Sequence, residues 1–329
     1  MAAPAAAGAF EGIAAEPEAF WGFTKPQLIA FGVMIAFFVV APFYLYPVFL
    51  MKVLCFALFA CAFNLLIGYV GLLSFGHAAY FGMGGYLAGH AAKVWGFTPE
   101  VSVLIGGLTG MVLGYAIGSL AIRRQGIYFA MITLAMAQMV YFFCVQAEFT
   151  GGEDGIQAIP RGSAFGVFSL APDMNMYWFT LAVFVVGFLF VHRVINSPFG
   201  MVLKSIRENE PRAVSLGYRA DDYKLMAFVI SATLSGIAGG TKAIVFGIAT
   251  LTDVFWTMSG EVVLMSLVGG LGTLFGPVAG AAIIIAMQNY LAEYGAWVTV
   301  IQGAIFVLCV LAFRRGVVGE IGRIIKARL

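Results

Sequence analysis

Apolar runs of membrane-spanning length recur along this chain, and they leave it few folds to choose from. They lie near 27–46, 48–67, 70–92, 101–122, 127–147, 177–195, 224–247 and 297–313. Each is close to the roughly 20 residues that a helix needs to cross the hydrocarbon of a bilayer. In lipid the backbone must satisfy its own hydrogen bonds, so such runs fold as helices. A further apolar stretch, 260–290, is too long for one straight helix and is cut by GGLGTLFGP at Gly269 to Pro277. Two short helices in a hairpin are predicted there, giving about ten membrane segments in all. The predicted class is an all-α integral membrane protein, a polytopic bundle over 27–313 that includes broken or re-entrant helices. A short tail at 1–26 and a basic tail at 314–329 complete the chain. Only 10% of the residues are charged and 62% are hydrophobic, whereas soluble domains run near 25% charged. The 41 glycines suit close helix packing and broken helices. The first 20 residues have neither a basic region nor a continuous apolar run; a short disordered tail is expected there, not a secretory signal.

Charge of both signs concentrates in one place, Ser197 to Lys224, reading SPFGMVLKSIRENEPRAVSLGYRADDYK. Ser197 and Pro198 read as an N-cap and a first-turn proline. Phe199, Val202, Leu203 and Ile206 then fall at i, i+3, i+4 and i+7, one apolar helix face. Lys204, Arg207 and Glu208 project elsewhere, Pro211 opens a second short helix, and Gly217 is placed to end it in a left-handed cap. Asp221 and Asp222 start the next span, where carboxylates suit the helix dipole. A plain connector needs no pair of capped amphipathic helices, so the segment reads as a docking patch across the end of the bundle. The alternative is a solvated joint.

Lysine and arginine orient the bundle. Arg123 and Arg124, the basic residues around the central segment, and Arg314, Arg315, Arg323, Lys326 and Arg328 fall on one side if the segments alternate. That side is assigned to the cytoplasm, with both termini. The opposite side carries Glu100, Glu148, Glu153, Asp154, Asp173, Asp253, Glu261 and Glu293, either a surface for a soluble partner or simply solvated loops. The connector over 148–176 is longer than a joint requires and is expected to fold over an entrance or form part of a partner surface.

Phosphate-loop, zinc-protease and serine-elbow motifs are missing, so ATP, if it drives this protein, must bind another chain. Lys52 and Lys242 stand near span ends and can snorkel, which leaves no buried acid and histidine relay of the kind a proton-driven pump uses. His77 lies in GYVGLLSFGHAAYFGMGGY (Gly68 to Tyr86), whose glycines loosen any helix. A half-helix with Ser74, Gly76 and His77 at its break can line a polar passage; the competing reading is a hydrogen-bonded histidine in tight packing. Gly269, Gly270, Gly272 and Thr273 form the second break, in the other half of the chain, and two such breaks flanking a central loop are the pattern of a pathway built from two repeats. Asn64, Thr133 and Gln138 are further polar groups in spans, facing the passage or bonding a neighbour. Cys55, Cys61, Cys144 and Cys309 lack metal-ligand spacing and read as packing residues.

These stretches resemble a permease subunit of the branched-chain (hydrophobic) amino acid ABC importers, of the LivM type. The likeness runs from about Val48 onward through AFNLLIGYVGLLSFGHAAYFGMGGY, FTGGEDGI, SPFGMVLKSIRENEPRAVSLGY, YKLMAFVISATLSGIAGG and GGLGTLFGPVAGA. It implies a second homologous permease, two ABC ATPase subunits binding ATP and magnesium, and a periplasmic solute-binding protein, all at a bacterial inner membrane. No cofactor is expected in this chain, and no nucleic-acid partner. The coupling loop, 197–223, would dock the ATPase through Ser197, Pro198, Phe199, Gly200, Arg207, Glu208, Asn209, Glu210, Ala213 and Gly217. Ala213 and Gly217 match the end of the family's EAA-like element, whereas Pro211 and Arg212 replace its opening residues. A stand-alone carrier or channel for a small neutral or zwitterionic solute, an amide or urea, is the alternative; it would fit better with intramembrane carboxylates. A membrane enzyme lacks any nucleophile, metal or acid and base constellation.

Overall fold

The computed structural model describes residues 24–166, 168–291 and 316–325, with scattered positions from 297 to 307. The helices are α1 Lys25–Val40, α2 Pro47–Asn64, α3 His77–Lys93, α4 Pro99–Ala121, α5 Ile127–Gln146, α6 Asp173–Ile195, α7 Pro198–Glu208, α8 Glu210–Ser215, α9 Ala220–Phe246, α10 Leu251–Val254, α11 Trp256–Gly269, α12 Gly276–Tyr290 and α13 Gly316–Ile325. A two-residue antiparallel pair, β1 Ser163–Ala164 with β2 Phe168–Ser169, decorates one connector. The polytopic all-α class holds. Among the described residues, six helical segments are long and apolar enough to cross a bilayer: Lys25–Phe43, Pro47–Val70, α4, α5, α6 and α9. The described residues do not confirm the count of about ten. α3 has 17 residues, and α11 and α12 have 14 and 15; the predicted span 297–313 and the tail 1–23 fall largely or wholly outside the described residues.

α2 is the axis of the bundle. It is apolar on every side, and a helix of that kind belongs in an interior. From Leu50 to Asn64 every side chain is buried except that of Lys52. α6 and the α11–α12 hairpin pack around it, with Phe188 set 5.5 Å, centre to centre, from Phe275. α9 is the second axis. Its glycines meet backbone directly: a methyl group on Gly236 would overlap the Gly106 carbonyl of α4, and one on Gly239 the Phe81 carbonyl of α3. Small residues let helices approach this closely where lipid offers no hydrophobic drive between them. α1, by contrast, leaves Ile29, Val33 and Phe37 exposed, as suits a helix turned to lipid.

The predicted run 70–92 starts late. α2 continues as a π turn over Leu65–Val70 and ends at Gly71, whose φ of 83° is left-handed; residues 71–76 are not helical, and α3 begins at His77. Insertion of a π turn followed by a left-handed glycine breaks the i→i−4 ladder. The long connector is pinned down, not free. Ile156 pairs with Ala249, Lys93 Nζ donates to the Gln157 carbonyl at 2.7 Å, and Arg161 Nη1 lies 2.6 Å from Asp173 Oδ1. It closes over the end of α9, with Phe165 and Phe168 exposed at its tip.

Candidate coupling and translocation site

The two glycine-rich breaks, separate in sequence, touch in space. Asn64, on the last turn of α2, donates from Nδ2 to the Thr273 carbonyl at 2.9 Å and accepts from the Gly272 N–H at 3.0 Å. One amide thus satisfies a donor and an acceptor of the hairpin turn, which has no helical partners of its own. A Cβ on Gly68 would stand 2.7 Å from the Gly272 nitrogen, so the backbones meet without side chains between them. Within the turn, Gly270 and Gly272 have φ of 123° and 72°, and Thr273 Oγ1 donates to the Gly270 carbonyl at 2.8 Å and accepts from Gly276 N–H at 3.1 Å. Gly269 packs against Gly276, and α13 starts against Gly270, where a methyl on Gly316 would stand 2.5 Å from the Gly270 nitrogen.

The charged segment reaches this junction. Ser197 caps α7 by accepting from the Gly200 N–H at 3.3 Å, with Pro198 in the first turn. Leu203 and Ile206 are buried, and Phe199 stacks on Tyr223 at 5.7 Å; the predicted face is the docked face. From the same helix Arg207 lays its stem over Gly71, donates from Nη1 to the Gly68 carbonyl, and points the guanidinium at Gly272. Lys204 Nζ sits 5.5 Å from the centre of the Tyr69 ring. Asn209 then caps α8, accepting from the Arg212 N–H at 3.1 Å. Gly217, at φ 92°, ends it in a Schellman motif: Tyr218 N–H bonds the Ala213 carbonyl at 3.2 Å and Gly217 N–H the Val214 carbonyl at 2.9 Å. Glu210 is held by Lys224 Nζ at 2.5 Å and Gln125 Nε2 at 3.1 Å, which ties α8 to α9 and to the α4–α5 turn. Ala213 is buried beneath α8, while Met201, Glu208, Val214, Leu216 and Tyr218 are exposed. The outward surface is apolar at its centre with charges beside it.

Ser74, Gly76 and His77 form the start of α3, a few residues further along the same break. Gly76 N–H donates to Ser74 Oγ at 3.2 Å, Phe75 N–H to Thr133 Oγ1 at 3.2 Å, and Ala78 N–H to Ser259 Oγ at 2.9 Å. Three hydroxyls thereby replace the partners that the broken helix lacks. His77 is wholly buried. Its Nε2 lies 2.8 Å from Ser231 Oγ, and Phe63, Tyr80 and Phe228 meet its ring edge-on. In this conformation Asn64, Ser74 and His77 are enclosed within the chain, in the geometry of the packing alternative.

The structure thus brings Asn64, Gly269, Gly270, Gly272 and Thr273 together with Arg207, joining one candidate set to the other. Ser231, Ser259, Gln125 and the Lys224–Glu210 pairing were not singled out from the sequence. A signal existed for the serines, since a hydroxyl inside an apolar run needs a partner in lipid.

Two expectations about charge are corrected. Lys242 does not snorkel: its ammonium lies 2.6 Å from Asp253 Oδ2, the side chains being 14% and 8% exposed. Nor does Asp253 belong to an exposed acidic surface: it is buried. α10 folds Asp253 back beneath the end of α9, where Thr250 Oγ1 also bonds it at 3.1 Å, and Glu261, within α11, accepts from Gln288 of α12 at 3.1 Å.

Comparison with known proteins adds relatives. The chain is 25% identical over 271 residues to the high-affinity branched-chain amino acid transport system permease protein LivM of Escherichia coli, covering 75% of this chain and 64% of that protein. Its Salmonella typhimurium counterpart is 24% identical over the same length. A probable branched-chain amino acid transport permease protein LivH of Methanocaldococcus jannaschii is 24% identical over 233 residues, 67% of this chain and 72% of that one. The matched region spans less than two thirds of the length of the two enterobacterial relatives. No solved structure matches. The family described as branched-chain amino acid transport system permease component matches residues 47–310, most of the chain, and the protein belongs to that family.

Proposed function

We propose that this protein is one transmembrane subunit of an ATP-driven importer of hydrophobic amino acids. It pairs with a second permease in a bacterial inner membrane, receives solute from a periplasmic binding protein at the acidic end, and is driven by two ATPase subunits docked on α7 and α8. ATP and magnesium belong to those partners. The observation that carries the reading is Arg207, which links the docking helix directly to both breaks, at Gly68 and Gly272. A push on α7 has a short mechanical route to the hairpin turn and the end of α2, elements that line the path when the subunit pair reorients. The exposed apolar centre of the patch, Val214 and Leu216, is the kind of surface that awaits a partner.

A self-sufficient carrier gains some support from Asp253 and Glu261. Asp253, however, is fixed by Lys242 and Thr250, which suits a structural brace better than a proton relay. Site-directed cross-linking separates the readings. Cys55, Cys61 and Cys144 are buried, so Leu216→Cys in a background with Cys309→Ser offers a selective exposed thiol. A cross-link to an ATPase subunit in native membranes is expected; a thiol that labels freely in intact cells but captures no ATPase would count against the proposal.

A further inference from the structure

Lys52 interrupts the otherwise buried stretch of α2 from Leu50 to Asn64. It stands in the second turn, about 8 Å along the axis from Pro47 at 1.5 Å per residue, and among the described residues it makes no hydrogen bond or ion pair. Its side chain lines a cavity of about 490 Å³. Leu45, Phe49 and Phe246 give that cavity apolar walls, while Tyr46, Asn289 and Tyr290 supply polar groups. The cavity lies at the end of the bundle away from α7 and α8, because α2 starts there and α9 and α12 finish there.

The surrounding charges sharpen what this space can hold. Lys242 and Asp253 are committed to each other. Glu261 accepts from Gln288 and is not among the residues that line the cavity. Among the described residues Lys52 has no ion-pair partner, and an ammonium so placed in a membrane helix is costly and marks a functional position by default. Volumes of a few hundred Å³ with mainly apolar walls and few convergent polar groups are those of small-molecule sites.

From this juxtaposition we infer that the cavity is a solute site in which Lys52 pairs with a carboxylate and the apolar walls take an aliphatic side chain. The ligand class is a small carboxylate with an apolar side chain. The inference rests on the importer reading and adds to it a place and a residue for recognition.

The test uses the complete transporter in proteoliposomes, with L-leucine and L-leucinamide as probes. Lys52→Met is expected to raise the leucine concentration for half-maximal uptake at least tenfold and to erase the preference for leucine over its amide; Lys52→Arg retains most of both. Asn289→Leu, which leaves the lysine in place, is expected to weaken leucine uptake by a smaller factor and covers the case in which Lys52→Met does not assemble. Wild-type leucine uptake that survives Lys52→Met and Asn289→Leu unchanged overturns the inference while leaving the importer reading intact. So does loss of bound anionic phospholipid from Lys52→Met with normal uptake, which would make the cavity a lipid site. A wild-type complex that carries no amino acid overturns the importer reading itself, and the inference with it.

Discussion

Arg207 donates a hydrogen bond to the main-chain carbonyl of Gly68, 139 residues earlier in the chain. One residue belongs to an amphipathic helix on the outside of the bundle, the other to the π turn that ends its central helix. The carbonyl is free to accept because the π turn and Gly71 take it out of the regular ladder. Replacing Arg207 with alanine removes a charge-assisted bond worth about 1.5 kcal/mol at a partly exposed site. That corresponds to roughly a tenfold shift between conformations. Uptake is expected to fall by about that factor while the amount of assembled complex, measured by size-exclusion chromatography, stays the same.

Asn64 is the deeper half of the same junction. Asn64→Leu would leave the Gly272 N–H and the Thr273 carbonyl without their partner in a buried turn, at about 1–3 kcal/mol for each orphaned group. A fall in the thermal unfolding temperature of the detergent-solubilised protein is expected. Asn64→Asp keeps the acceptor for Gly272 and loses only the donor, but it introduces a carboxylate at a buried position, so it is expected to be at least as damaging. Unchanged stability in Asn64→Leu would show that the two breaks do not depend on this contact.

Lys242 and Asp253 make a buried pair, for which removing one partner typically costs about 3–5 kcal/mol, whereas removing both in favour of apolar residues is often close to neutral. Lys242→Met is therefore expected to destabilise strongly, and Lys242→Met with Asp253→Leu to recover much of the loss. Equal stability of the single and double variants, measured by thermal unfolding, would mean that the pair is not an energetic unit.

His77 fills an aromatic cage and bonds Ser231. His77→Ala would open a cavity and leave Ser231 with only its bond to the Ala62 carbonyl, at about 2–4 kcal/mol, by comparison with large-to-small core changes. Loss of folded protein is the expected result. Normal stability with reduced uptake would instead place the ring on the solute path.

Much of this was legible in the sequence. The apolar runs gave the membrane class, because a bilayer admits few backbone solutions. The capped helices at Ser197 and Gly217 were readable because caps and i, i+4 spacing are local. What could not be read is where breaks meet. Nothing in the spacing of Asn64 and Gly272 announces a contact across 208 residues, and no local rule joins Arg207 to Gly68. The break at Ser74, Gly76 and His77 was readable from its glycines; the end of the preceding helix was not, because residues 70–73 are as apolar as a helix and only backbone geometry at Gly71 ends it. The burial of Asp253 in an ion pair escaped for a similar reason: a four-residue helix after α9 folds it inward, and hydropathy does not register so short a turn.

The most direct measurement is co-purification of the tagged chain from its own membrane in mild detergent, with mass spectrometry of what accompanies it and uptake assays after reconstitution. The account predicts a second permease and ATPase subunits in the complex, and leucine uptake that requires ATP. A chain recovered alone that moves solute without ATP would contradict it.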